Sequence, residues 1–231
     1  LIETAFATIN PVDLDTMKPQ NDVILGSEFS GNVSAVGAHV KDFQVGDAVF
    51  GCKYTGCFAQ MIKTSSTAVC KIPSGLSLAE AALLPYSGTI AYETVSNTIQ
   101  PDDSVLIIAD KGGIAFLACQ IIKATAVCVL APKTYCTGLQ VPVVSSESAI
   151  PFKPTAVIDF SRSSELNVPE ARVIPVANKH CTSSKETLTE LSRMMEDRTL
   201  HLPSHSDISM DEIASAMCTL RNGTQSTRFV V

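Results

Sequence analysis

Two patterns of apolar and polar positions follow one another along the chain. Up to about Ser74 the apolar residues come in short alternating runs, such as Asn32 to Val36 and Ala48 to Phe50, punctuated by Gly26, Gly31, Gly37, Gly46, Gly51 and Gly56. Alternation at period two between turn residues predicts strands, and together the runs predict a small barrel with tight turns. From Val105 the apolar runs become short and continuous, the form taken by strands buried on both faces of a parallel sheet. They predict strands over Val105 to Ala109, Ala126 to Leu130, Ala156 to Phe160 and Arg172 to Val176, with a helix over Ile114 to Lys123. The implied fold class is α/β.

Serine followed three residues later by glutamate marks helix starts. Ser77-Leu-Ala-Glu80 opens a helix through Leu84, and Pro85 interrupts it before a second helical run to about Thr98. Ser183 with Glu186 and Ser209 with Glu212 open two late helices. Leu188, Leu191, Met194 and Met195 share a face of the first, and Ile213, Ala216, Met217 and Leu220 a face of the second. These stripes are core faces and carry no chemistry. Arg228-Phe-Val-Val231 reads as a final strand. Between Pro101 and Val176 only four strands and one helix are expected, because Pro132, Pro142, Pro151, Pro154 and Pro169 break up the segments where crossover helices would lie.

Composition narrows the class. The 231 residues are 45% apolar, ample for one large domain or two small ones. A net charge of −6 without a basic cluster argues against nucleic acid as a partner. There is no signal peptide, no lipidation motif and no apolar run long enough to span a bilayer, so a cytoplasmic protein without membrane attachment is expected. The eight cysteines are scattered with no CxxC pair, as buried reduced thiols would be. Cys52 and Cys57 lie close in sequence, but no second pair accompanies them, and no metal site is expected. His39, His180, His201 and His205 sit in polar, loop-like settings.

The one stretch that suggests ligand chemistry is Asp110-Lys111-Gly112-Gly113-Ile114-Ala115, between an apolar strand and an apolar helix. In a dinucleotide fold three small residues in this turn permit a tight bend, close approach of the pyrophosphate and close helix packing, while the helix N-terminus donates N–H groups. Gly112 and Ala115 suit the second and third positions. The first is Asp110, and a carboxylate about 4 Å from a phosphate repels it by roughly 1 to 4 kcal/mol. Lys111 offsets part of that. No acid follows the second strand about 20 residues after the glycines; Lys133 does, suited either to a 2′-phosphate or to solvent.

Taken in order, Ile9-Asn-Pro-Val-Asp13, Leu25-Gly-Ser-Glu-Phe-Ser-Gly31, Phe43-Gln-Val-Gly-Asp47-Ala-Val-Phe-Gly51, Gly56-Cys-Phe-Ala-Gln60, Glu80-Ala-Ala-Leu-Leu-Pro85 and Gly88-Thr-Ile-Ala-Tyr92 resemble the medium-chain dehydrogenase/reductase superfamily. The resemblance is to its zinc-free quinone-reductase and enoyl-reductase branch, and most to the enoyl-reductase regions of fungal highly reducing polyketide synthases and the trans-acting reductases that serve them. Ser27 stands where zinc alcohol dehydrogenases of the superfamily carry a metal-binding histidine. The resemblance implies a GroES-like β-barrel domain, residues 1–98 with 199–231, and a truncated Rossmann-like cofactor domain, residues 99–198.

It also nominates residues. Asn10 and Asp13 would lie at the mouth of the barrel, Tyr86 and Thr89 beside a nicotinamide, and Gly112, Gly113, Ala115, Lys133 and Arg228 along NADPH if it binds. Each has an ordinary reading too: Asn10-Pro11 as a turn start, Asp13 as a helix cap, Tyr86 and Thr89 as packing, Arg228 as a strand-edge charge. Relatives carry further strands before the Asn-Pro segment, so the chain reads as excised or trimmed. Three functions are compatible with these residues. One is an enoyl-reductase-like domain whose own reduction is lost, retained as a structural or docking element beside other polyketide synthase domains or a carrier-bound acyl substrate. Another is an active NADPH-dependent enoyl or quinone reductase. The third is a cofactor-free cyclase or ligand-binding protein.

Overall fold

The computed structural model describes residues 1–17, 22–109, 113–132, 138–161, 168–176, 183–222 and 228–231, with the side chain of Arg228 outside the description. In chain order the elements are β1 (Ile2–Ala7), α1 (Pro11–Thr16), β2 (Glu28–Val33), β3 (Ala48–Cys52), β4 (Met61–Ile62), β5 (Val69–Lys71), α2 (Leu78–Ala81) and α3 (Pro85–Val95). Then come β6 (Ser104–Ile108), α4 (Gly113–Ile121), β7 (Ala126–Leu130), β8 (Val143–Val144), β9 (Ala156–Asp159) and β10 (Arg172–Ile174). Last are α5 (Lys185–Glu196), β11 (His205–Asp207), α6 (Ile213–Asn222) and β12 (Arg228–Val230).

The chain divides into two compact units, residues 1–89 with 179–231 and residues 90–178. These bounds differ from the expected division over 90–98, which fall in the second unit, and over 179–198, where α5 falls in the first. An amphipathic stripe shows that a helix packs, not what it packs on.

In the first unit an antiparallel sheet runs β4-β1-β2-β3-β5, with a register shift between Thr4 and Phe6 that bends β1. Its alternating residues Ile2, Phe29, Val33, Val49, Ile62 and Val69 meet in one apolar cluster. Gly31 is required there: a Cβ would stand 2.1 Å from the Glu3 carbonyl oxygen on β1. A second cluster joins Ile9 and Phe229 to Ala216 and Met217 of α6, so the expected α6 stripe is a core face. β12 pairs in parallel with β11 and returns Val231 N–H to the Ala7 carbonyl at 2.8 Å.

The capping boxes Ser77–Glu80 and Ser209–Glu212 form as expected. The third shifts by one residue: Ser184 caps α5 by accepting from Thr187 N–H at 3.1 Å. Ser183 is instead used by the sheet, accepting from Cys52 N–H at 3.3 Å and donating to the Ala68 carbonyl at 3.3 Å.

The second unit holds a parallel sheet in the order β10-β9-β6-β7-β8. It has five strands rather than the four expected. The missed one, β8, is only two residues long, too short for any periodicity to reveal. Counted from β6 the sequence of strands across the sheet is 3-2-1-4-5, that of a doubly wound nucleotide fold with its switch point between β6 and β9. Val105, Leu106, Ile107, Ala156 and Ile158 are all fully enclosed, which explains why these strands read as unbroken apolar runs. At the amino ends of the strands Asp103 locks the sheet. Its carboxylate accepts from Gln100 N–H at 2.7 Å, Thr155 Oγ1 at 2.9 Å and Arg172 Nη2 at 2.6 Å.

Candidate functional site

Each unit carries one candidate. In the first, a buried polar cluster forms where β1 ends, α1 begins and β2 starts. Pro11 is preset for the first turn of α1, which leaves Asn10 extended before it. Asp13 then reaches back to accept from Asn10 N–H at 2.7 Å, so its capping role is real. Asn10 Nδ2 donates to Glu28 Oε1 at 2.8 Å and to Ser27 Oγ at 3.1 Å. Glu28 also accepts from the Thr8 hydroxyl and, at 2.8 Å through Oε2, from Tyr86 N–H at the start of α3.

Two carboxyl groups therefore share a site with almost no solvent: Asp13 is 2% exposed and Glu28 not at all. Burial, and then the neighbouring Glu28, push Asp13 up from its ordinary 3.8 to about 7, against hydrogen bonds from Asn10, Gly26 and Ser27. Burial thus favours the protonated form of Asp13 well above the usual carboxylate range, and the cluster fixes the entry to α3.

Asn10, Asp13 and Tyr86 are thus brought together, Tyr86 through its backbone. Thr89, one turn further along α3, is fully buried and its hydroxyl has no hydrogen-bond partner among the described residues. Glu28 and Thr8 were not anticipated as site residues. The signal for Glu28 was present, an acid inside the Leu25 to Gly31 motif on an otherwise inward-facing strand.

In the second unit a cleft of about 960 Å³ opens at the carboxyl ends of the parallel strands. Ile108 and Ala109 follow β6, Leu130, Ala131 and Pro132 follow β7, Ser145 to Ser148 follow β8, and Ser161 follows β9. The crevice outside the carboxyl ends is where open α/β sheets hold ligands. Gly113 opens α4 beside it, and Ala115 is enclosed within that helix, allowing close packing. At the switch point Asp159, in register with Ile108, accepts from Ser161 N–H at 2.8 Å and Ser161 Oγ at 2.6 Å. Asp110, Gly112 and Lys133 lie outside the described residues, as does the side chain of Arg228, whose backbone pairs with His205 in β12.

The fit to a dinucleotide is uneven. The first mononucleotide half is built: β6, α4, β7, β8 and a cleft lined by serine hydroxyls that suit a ribose. Among the described residues the second shows β9 and β10.

An antiparallel unit with this motif order, in one chain with a 3-2-1-4-5 parallel sheet, defines the two-part dehydrogenase and reductase class. Residues 1–95 match the alcohol dehydrogenase GroES-like domain. A highly reducing polyketide synthase of Didymella fabae is 37% identical over 123 residues, 52% of this chain and 6% of the synthase. Another, otaA of Aspergillus carbonarius, is 32% identical over 182 residues, 76% of this chain and 6% of the synthase. The chain thus spans about 6% of the length of these relatives. Among solved structures, the quinone oxidoreductase of Coxiella burnetii aligns at a TM-score of 0.82 with 21% identity, over 99% of this chain and 88% of that one. The CurK enoyl reductase aligns at 0.79 with 20% identity, over 100% and 89%. The chain belongs to the medium-chain dehydrogenase/reductase superfamily.

Proposed function

We propose that this chain is an enoyl-reductase region of a polyketide synthase system that keeps the adenosine half of its dinucleotide site and has lost hydride transfer. The observation that carries this is the inequality of the two halves. The cleft takes nine of its ten lining residues from the ends of β6, β7 and β8 and only Ser161 from the second half, in which β9 and β10 are the elements among the described residues. A doubly wound sheet positions a dinucleotide with two mononucleotide halves, and the second holds the reacting ring. Asp110 in the phosphate turn supports the same reading, since its charge opposes the pyrophosphate.

When bound, a nicotinamide would supply the hydride for an activated double bond. The residues here that would hold its adenosine end are Ala109, Gly113 and the serines after β8. Such a region would act as a structural or docking element beside the other synthase domains or a carrier-bound acyl chain. An active NADPH-dependent enoyl or quinone reductase is the second reading, favoured by the five-stranded sheet and the size of the cleft.

Calorimetry with ADP-ribose and with the complete dinucleotide separates the two. Loss of the second half predicts equal affinities within about twofold, because the nicotinamide ring that ADP-ribose lacks adds no contacts. A tenfold gain on adding it, about 1.4 kcal/mol, would establish a working nicotinamide site and favour the second reading.

A further inference from the structure

The first unit has an opening that shares no residue with its buried polar cluster. β4 and β5 are the outer strands of the antiparallel sheet, yet Ile62 of β4 and Val69 of β5 join the same apolar cluster, so the sheet curls round on itself. Residues 63–68 link these two strands. Beside that link a cavity of about 70 Å³ reaches into the core, since Ile2, Val33, Phe43 and Val69 belong both to the apolar cluster and to the cavity wall. Val36 and Gly37, which follow β2, form an exposed part of its rim, and Thr64, Ser65 and Ser66 stand on the side of the link. The mouth of a barrel, apolar within and edged by a few polar groups, is a favoured place for a small ligand.

The lining decides what can enter. Among the described lining residues no side chain is charged, so an ionic group would give up its hydration without a counter-charge. The one ring, Phe43, has the Lys185 ammonium 5.7 Å from its centroid, which takes one of its faces. A cavity of about 150 Å³ admits benzene, and this one offers about half that room. It therefore suits a chain one carbon wide and not a ring. Ser65 caps its own turn, accepting from Thr67 N–H at 3.3 Å, whereas the hydroxyls of Thr64 and Ser66 bond to no other described residue. They are open to a hydroxyl or carbonyl at the point where such a chain leaves the cavity.

We propose that this open end of the curled sheet binds the end of a straight, uncharged aliphatic chain, with its methylenes against Val33, Phe43 and Val69 and its first polar atom at Thr64 and Ser66. The site lies wholly in the first unit and stands whether or not the cleft of the second unit holds a nucleotide.

The test titrates primary alcohols from propanol to octanol into the full chain and follows backbone amides by NMR. Shifts are expected around Val33, Gly37 and Val69, with affinity rising about fourfold per methylene until the cavity is full and then levelling off. Hexanoate and hexylammonium are expected to bind at least tenfold more weakly than hexanol. Gly37→Leu blocks the rim: a Cβ there has only Val40 Cγ2 within 4 Å, at 3.8 Å, and Val40 also lines the cavity, so bulk is added without displacing the backbone. This variant is expected to lose at least tenfold in hexanol affinity with its thermal unfolding unchanged. Thr64→Val combined with Ser66→Ala is expected to weaken hexanol about fivefold, and an unchanged affinity would overturn the placing of its hydroxyl. The site itself is overturned by benzyl alcohol binding as tightly as hexanol, by Gly37→Leu leaving hexanol affinity intact, or by no shift up to the solubility limit. Shifts of the same amides with protein concentration alone would show that a second copy covers this face, and would overturn it too.

Discussion

Glu28 is enclosed by donors from Thr8 just after β1, from the turn before α1 and from the start of α3, so removing its carboxylate loses three hydrogen bonds at once. Glu28→Ala is expected to cost about 3 to 5 kcal/mol in urea unfolding, while Glu28→Gln, which keeps one acceptor, costs roughly 1 to 2 kcal/mol. Equal, small losses for both would mean that the cluster does not hold α3 in place. Asp13 gives the opposite kind of signature. Folding raises its pKa from 3.8 to about 7, so the folded chain binds the extra proton between those values. Its contribution is therefore complete below pH 4, falls as pH rises toward 7 and is flat beyond, amounting to a few kcal/mol at most. Asp13→Asn should flatten this slope, so that unfolding free energies of variant and wild type diverge in the variant's favour from about pH 4 to pH 7 and run parallel above it. Parallel profiles across that whole range would contradict the raised pKa of Asp13. Asn10 and Asp13 were nominated by the family resemblance, with a turn and a cap as their ordinary readings. Glu28 left a trace as an acid inside the Leu25 to Gly31 motif, but its importance lies in what encloses it, and that comes from residues 20 before it and 58 after it.

At the scale of elements, the strands with strong, continuous apolar runs were read nearly to the residue: Ala126 to Leu130 is β7 itself. What was missed is informative. β8 has two residues and is recognisable only through its pairing of Val129 with Val143 and Leu130 with Val144. The α5 cap shifted from Ser183 to Ser184 because adjacent serines offer the same local chemistry, and Cys52 and Ala68 claim the first. Within the parallel sheet, the short β10 depends on Asp103 more than on its own three residues. Asp103→Ala should cost about 2 kcal/mol, from three hydrogen bonds to its buried carboxylate lost at once. Hydrogen exchange should show β9 and β10 amides losing protection while β2 and β3 keep theirs. Uniform loss in both units would show instead that the two sheets unfold as one body.

For the whole molecule, the change from alternating to continuous apolar patterning announced a change from antiparallel to parallel sheet, and both sheets are present. The return of the chain to the first unit at α5 was not legible. Chemistry at this scale depends on whether the five-stranded sheet still presents a nicotinamide to a double bond. The most direct measurement supplies the full chain with NADPH or NADH deuterated at the transferable position, together with an enoyl thioester, and follows deuterium into the acyl product by mass spectrometry. No deuterated saturated thioester above the protein-free control is expected. Deuterated product formed in step with cofactor oxidation, over repeated turnovers, would contradict the loss of hydride transfer.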